Sequence, residues 1–165
     1  MLENIFGKDV FHPKDIKDRV KTFEDAVSIL GNDNQAVVDY YVITDKTCTE
    51  DILAFGKLRV IAKALNEGWK PTFKEHECCY YPWFYIYTKK EYDNLNEDKK
   101  KSYSVINQYN NTNVYDNLIY VNVDVGVVSS HLCTHSSSKI AFKTRELAIY
   151  AGKQFIDIWV NFIFS

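Results

Sequence analysis

Three side chains that bind metals or act as nucleophiles alternate in the segment HLCTH: His131, Cys133 and His135. On an extended backbone all three leave the same face, because successive side chains point to opposite sides. Zinc accepts imidazole and thiolate ligands, but the two histidines stand ~13 Å apart along a straight strand, too far to share one ion. A complete site needs more ligands, and His76, Cys78 and Cys79 supply them if the segment around residue 80 pairs beside the one carrying Cys133. The spacing is that of no zinc finger or ribbon, so surface histidines and buried, reduced thiols account for the same residues. Cys133 and the hydroxyls of Ser136, Ser137 and Ser138, next to His131 or His135, also offer the atoms of nucleophilic catalysis. No nucleophile-elbow turn surrounds them.

A second constellation is aromatic. In YYPWFYIYT (80–88) strand alternation places Tyr81, Trp83, Tyr85 and Tyr87 on one face, and Phe84 and Ile86 on the other. An aromatic strand face stacks on bases or receives a partner's apolar side chains; the same face also serves as core beneath a helix. Lys143, Thr144 and Arg145 open the last helical segment, where free backbone N–H groups and cationic side chains form a possible phosphate seat. Ordinary capping explains those three residues equally well. Together the rings and the helix start outline a site of nucleotide size.

Thr22 caps a helix to Leu30, with Asp25 at the capping-box position and Gly31 as its stop. The apolar run AVVDYYVI (36–43) does not decide between strand and helix, and leans to helix or irregular structure. A longer helix starts at Thr49 as cap, with Ile52, Phe55, Leu58, Ile61, Ala62 and Leu65 at helical spacing and Gly68 at its end. Gly56 inside it marks a close approach by a neighbour. The segment 80–88 is a strand, and Pro82 confines it to an edge or to a start near the proline. The alternation of Ile119, Val121, Val123, Val125 and Val127 is a second strand, and KIAFK (139–143) a third, short one. Between the first two lies a polar insertion at 89–117, expected as an exposed loop or a short helical excursion. From Thr144 the apolar residues Leu147, Ala151, Phe155, Ile158 and Phe162 predict one long closing helix.

These elements predict a single α+β domain over 1–165: a small antiparallel sheet of about three strands covered by helices, with a long C-terminal helix. The 165 residues, 46% of them apolar, suffice for one core without disulfides or metal. A formal charge of −2 leaves no field to attract phosphates at long range, so general coating of nucleic acid is not expected. No apolar run has the length of a membrane span, and the first residues lack the pattern of a secretory leader, so a cytoplasmic protein with reduced cysteines is expected. No phosphate loop or dinucleotide fingerprint occurs.

Four ordered blocks, TFEDAVSILG (22–31), LRVIAKALNEGWKP (58–71), YYPWF (80–84) and KIAFKTRELAIYAGKQF (139–155), resemble a family of small uncharacterised proteins encoded by phages and prophages of gut Bacteroidetes. The resemblance covers both ends of the chain but not the 89–117 insertion or HLCTH. It implies a mobile-element origin and a place in the cytoplasm of the bacterial host, and it brings no catalytic role. The function expected is a non-enzymatic accessory module that binds a host protein or a small anionic, nucleotide-like ligand. The alternatives are a zinc- or thiol-dependent enzyme using His131, Cys133 and His135, and a structural or assembly protein whose aromatics meet another copy.

Overall fold

Thr22 accepts a hydrogen bond from the backbone N–H of Asp25 at 3.1 Å, and Asp25 Oδ2 accepts one from the Thr22 N–H at 2.9 Å. This reciprocal pair satisfies donors that a helix start otherwise leaves open, and a cap of this kind contributes about 1 kcal/mol. The helix it opens is α2 (Phe23–Leu30), which follows the single turn α1 (Ile16–Arg19). Gly31, at φ 81°, ends α2 in a conformation that a side chain resists. The computed structural model describes residues 15–46, 48–72, 78–101, 104–107, 118–129 and 140–165.

The ambiguous apolar run is helix α3 (Gln35–Thr44), whose first turn is capped by Asn34 Oδ1 on the Ala36 N–H at 3.1 Å. Helix α4 (Glu50–Leu65) lies at the centre and packs against both α2 and α3. Leu58, Ile61 and Leu65 are completely buried there. Thr49 stands at the N-cap of α4 without accepting a helix N–H; its side chain bonds Asp51, which holds that carboxyl below its usual range. The close approach expected at Gly56 is present, since a Cβ there would lie 2.9 Å from Ile43 Cδ1 and 3.0 Å from Tyr40 Cδ2.

Strand β1 (Cys78–Tyr87) pairs antiparallel with β3 (Leu118–Ser129) along its whole length, from Cys78 opposite Ser129 to Tyr87 opposite Tyr120. The polar stretch between them is not a plain loop. It contains the short helices α5 (Lys89–Asp93) and α6 (Glu97–Lys100), opened by Thr88 and Asn96 as caps, and the four-residue strand β2 (Ser104–Asn107). β2 pairs with the start of β3, giving the order β1-β3-β2. The described part of KIAFK, residues 140–143, does not form a strand. Ile140, Ala141 and Phe142 are buried, and Phe142 makes one isolated antiparallel bridge to Tyr80.

In place of one closing helix there are two, α7 (Arg145–Gln154) and α8 (Ile156–Phe164), broken at Phe155 with φ −113° and ψ 32°. The break serves buried aromatic rings. Phe155 sinks into the core edge-on to Tyr150, and the indole N–H of Trp159 donates to the Ala151 carbonyl at 3.2 Å. A buried donor left unpaired there would cost about 1–3 kcal/mol. α7 crosses one face of the sheet and α8 lies along α4. The result is a mixed helix-and-sheet fold with its core between α4, α7, α8 and one face of β1 and β3.

Candidate functional site

Side-chain direction on β1 follows from its pairing. Tyr80 exchanges both backbone hydrogen bonds with Phe142, at 3.0 and 2.7 Å, so in the alternating antiparallel pattern Tyr81, Trp83, Tyr85 and Tyr87 are the residues that bond β3. Pro82 belongs to the outward-bonding set, and its missing N–H costs the ladder nothing. On the helix face, Pro82 is buried and Phe84 rests 5.3 Å, centroid to centroid, from Trp159. Ile86 shares that face but is 44% exposed, because it lies at the rim beside α8.

The opposite face carries the aromatic set. Trp83 is 50% and Tyr85 45% exposed, while Tyr81 and Tyr87 are half-buried. The rings of Tyr81 and Trp83 stand 6.5 Å apart at 60°. Trp83 lies opposite Asp124 on β3, and the two side chains share the open face. Asp124 Oδ1 accepts the Val125 N–H at 2.8 Å and the Arg145 guanidinium at 3.1 Å. Tyr81, Trp83 and Tyr85 thus share one face with Asp124, and Arg145 is tied to Asp124. Asp124 was not among the expected site residues; nothing local in its sequence announces a partner 21 residues away.

The start of α7 is already occupied by the chain's own groups. Thr144 Oγ1 accepts the Leu147 N–H at 3.2 Å, and the Glu146 carboxyl is held below its usual range by its own backbone N–H and then by Thr144. Lys143 turns to Glu67, with Nζ 3.2 Å from Oε2, and its backbone N–H donates to Asn66 Oδ1 at 3.0 Å. The shallow depression around Lys143 and Thr144 is lined by three carboxylates, Asp15, Glu67 and Glu146, against two lysines, Lys17 and Lys143. This is a poor seat for a phosphate. Of the three expected helix-start residues, Arg145 is the one whose side chain bonds the sheet, through Asp124.

Asn66 is the buried polar residue that fixes this arrangement. Its Nδ2 donates to the Ala141 carbonyl at 2.8 Å while its Oδ1 takes the Lys143 N–H, so the end of α4 holds the segment that leads into α7. Gly152 sets the distance between α7 and the sheet: a Cβ there would lie 2.5 Å from Val123 Cγ1 and 3.0 Å from Pro82 Cβ.

His76, His131, Cys133 and His135 lie outside the described residues. Cys78 is exposed at the start of β1 and Cys79 beside it is buried. Among the described residues no three His, Cys, Asp or Glu side chains come together as a metal site, and no helix is long and apolar enough to cross a membrane. No family model, curated protein or solved structure matches the chain.

Proposed function

We propose that the chain is a non-enzymatic interaction module whose working surface is the open face of β1, and that its partner is a protein of the bacterium in which a phage or prophage carrying it resides. The observation that supports this is the exposure of Trp83 and Tyr85 on one face, with Arg145 paired to Asp124, the residue opposite Trp83. Trp, Tyr and Arg are the residue types that most often carry the binding energy of protein interfaces. Large rings at half exposure have apolar area left to bury, at roughly 25 cal/mol per Å². Arg145 is paired but exposed, so a partner carboxylate can compete for its remaining donors.

A nucleotide-like ligand is the second reading, favoured by the same Trp83 ring and by the cationic Arg145 paired with Asp124 opposite it. It is the weaker one, because Glu146 and Thr144 fill the helix start and Lys143 is committed to Glu67. Photo-crosslinking from position 83 in a gut Bacteroidetes host separates the two. A discrete protein adduct that disappears when Arg145→Glu is added supports the proposal. Absence of such an adduct, together with a melting temperature raised by ATP or cyclic dinucleotides and restored by Trp83→Ala, replaces it with the nucleotide reading.

A further inference from the structure

Helix α4 carries Arg59 and Lys63 one turn apart, so the two side chains are neighbours on its surface. After the last turn the chain reverses at Glu67 and Gly68, with φ 49° and 86°, and the Trp69 N–H donates to the Asn66 carbonyl at 3.0 Å. The reversal returns Trp69 and Lys70 to the side of α4 that Arg59 and Lys63 occupy, where with the first turn of α3 they enclose a cleft of about 360 Å³. Small-molecule sites occupy roughly 300–1,000 Å³. Apart from Asn66, the buried residues that line this cleft are alanines, Ala36, Ala62 and Ala141. Asn66 fixes the last of them through its carbonyl.

Charge distinguishes this cleft from the depression at the start of α7. Three carboxylates line that depression; here Arg59, Lys63 and Lys70 line the cleft and, among the described residues, no carboxylate does. Asp39 holds Arg59 from outside the lining, with Oδ2 3.4 Å from Nη2, while its Oδ1 accepts the Gln35 amide at 2.7 Å. One long bond leaves Arg59 most of its five donors. No described carboxylate lies within ion-pair distance of Lys63 or Lys70. A cleft lined by one sign of charge over apolar walls focuses the field and concentrates ions of the other sign. The chain carries −2 in total, so this attraction is local. Trp69, half-buried at the same cleft, adds a flat aromatic ring on which a base can stack.

We propose that the cleft at the end of α4 binds a nucleoside phosphate, with the phosphate oxygens on Arg59, Lys63 and Lys70 and the base on Trp69. The three cations alone suit any multivalent anion; the ring beside them selects a nucleotide over inorganic pyrophosphate. The site shares no residue with the open face of β1.

Isothermal titration of the full chain with ADP and with pyrophosphate in magnesium-free buffer tests this. ADP is expected to bind about tenfold more tightly than pyrophosphate, a difference that Trp69→Ala removes. Lys63→Glu and Lys70→Glu should each weaken ADP about tenfold or more, whereas Lys153→Glu, an equal change of charge on α7, should leave it unchanged. Lys70 is exposed, so its variant keeps the test valid if Lys63→Glu does not fold. No binding of ADP at millimolar concentration overturns the proposal, as does binding that both lysine variants leave intact or that Lys153→Glu weakens as much. Pyrophosphate bound as tightly as ADP overturns the nucleoside assignment. ADP binding that is lost in Trp83→Ala and kept in Trp69→Ala also overturns it, because the ligand then sits on the open face of β1.

Discussion

Trp83 and Asp124 face each other across the β1–β3 pair, the ring half exposed and the carboxylate tied to Arg145 at 3.1 Å. The ion pair is exposed on both sides, so it holds Arg145 in place more than it holds the fold together: pairs of this kind contribute about 0–1 kcal/mol. Asp124→Asn should leave the urea midpoint nearly unchanged. It should weaken partner binding, because Arg145 then loses its fixed position. A loss of stability above about 2 kcal/mol would place the pair in the fold and not in the surface.

Gly152 and Gly56 separate two kinds of close contact. Ala is about 1 kcal/mol better than Gly inside a helix, so each substitution gains that much before packing is counted. At Gly152 the obstacles are the Val123 side chain and the Pro82 ring, both held in the sheet. Gly152→Ala should destabilise by about 1–3 kcal/mol, the range for overpacking. Gly56 meets the flexible end of Ile43 and the edge of the Tyr40 ring, so Gly56→Ala should fall within about 1 kcal/mol of the parent. Urea titration of both variants gives the comparison.

Asn66→Ala removes one buried and one partly buried hydrogen bond and leaves the Ala141 carbonyl and the Lys143 N–H without their partner. The expected cost is about 2–4 kcal/mol, counting 1–3 for each orphaned group with partial relief by water. Hydrogen exchange should show the Phe142 and Tyr80 amides losing protection first, since their bridge depends on the segment that Asn66 holds.

Two groups give the stability opposite pH slopes. Asp25 is held below its usual range by the backbone N–H groups of Lys21 and Thr22. Its contribution is present above the ordinary carboxylate range and is lost as pH falls through its lowered value; Asp25→Asn should flatten that acid limb. Tyr150 is raised by burial and then by Asp18, Asp25 and Asp15, and its hydroxyl lies 2.6 Å from the Val20 carbonyl and 2.8 Å from that of Lys17. Its contribution is complete below pH 10 and is lost as pH rises through the raised value. Tyr150→Phe should cost about 1 kcal/mol at neutral pH and remove that part of the alkaline limb.

Local signals made α2 and α4 legible: a Thr at each start, acidic residues in the first turn and a glycine after the end. α3 was not decided by its own residues, because AVVDYYVI is apolar on most sides; packing of Tyr40 and Ile43 onto Gly56 settles it. The break at Phe155 was hidden, since apolar residues continue at helical spacing through it and only tertiary packing of Phe155 and Trp159 calls for the change. In the polar insertion, the capping box of Thr88 and Glu91 was a readable sign of α5, while β2 depends on pairing with distant residues. The aromatic alternation on β1 placed Trp83 and Tyr85 on one face, but what stands beside them, Asp124 with Arg145, is a contact made by the fold.

The most direct measurement is the affinity of the full chain for the protein captured at position 83, compared with that of Trp83→Ala at equal thermal stability. A loss of roughly 30-fold or more is expected, the effect of removing an interface anchor worth about 2 kcal/mol, with an unchanged melting temperature. An affinity equal to that of the parent chain would contradict it.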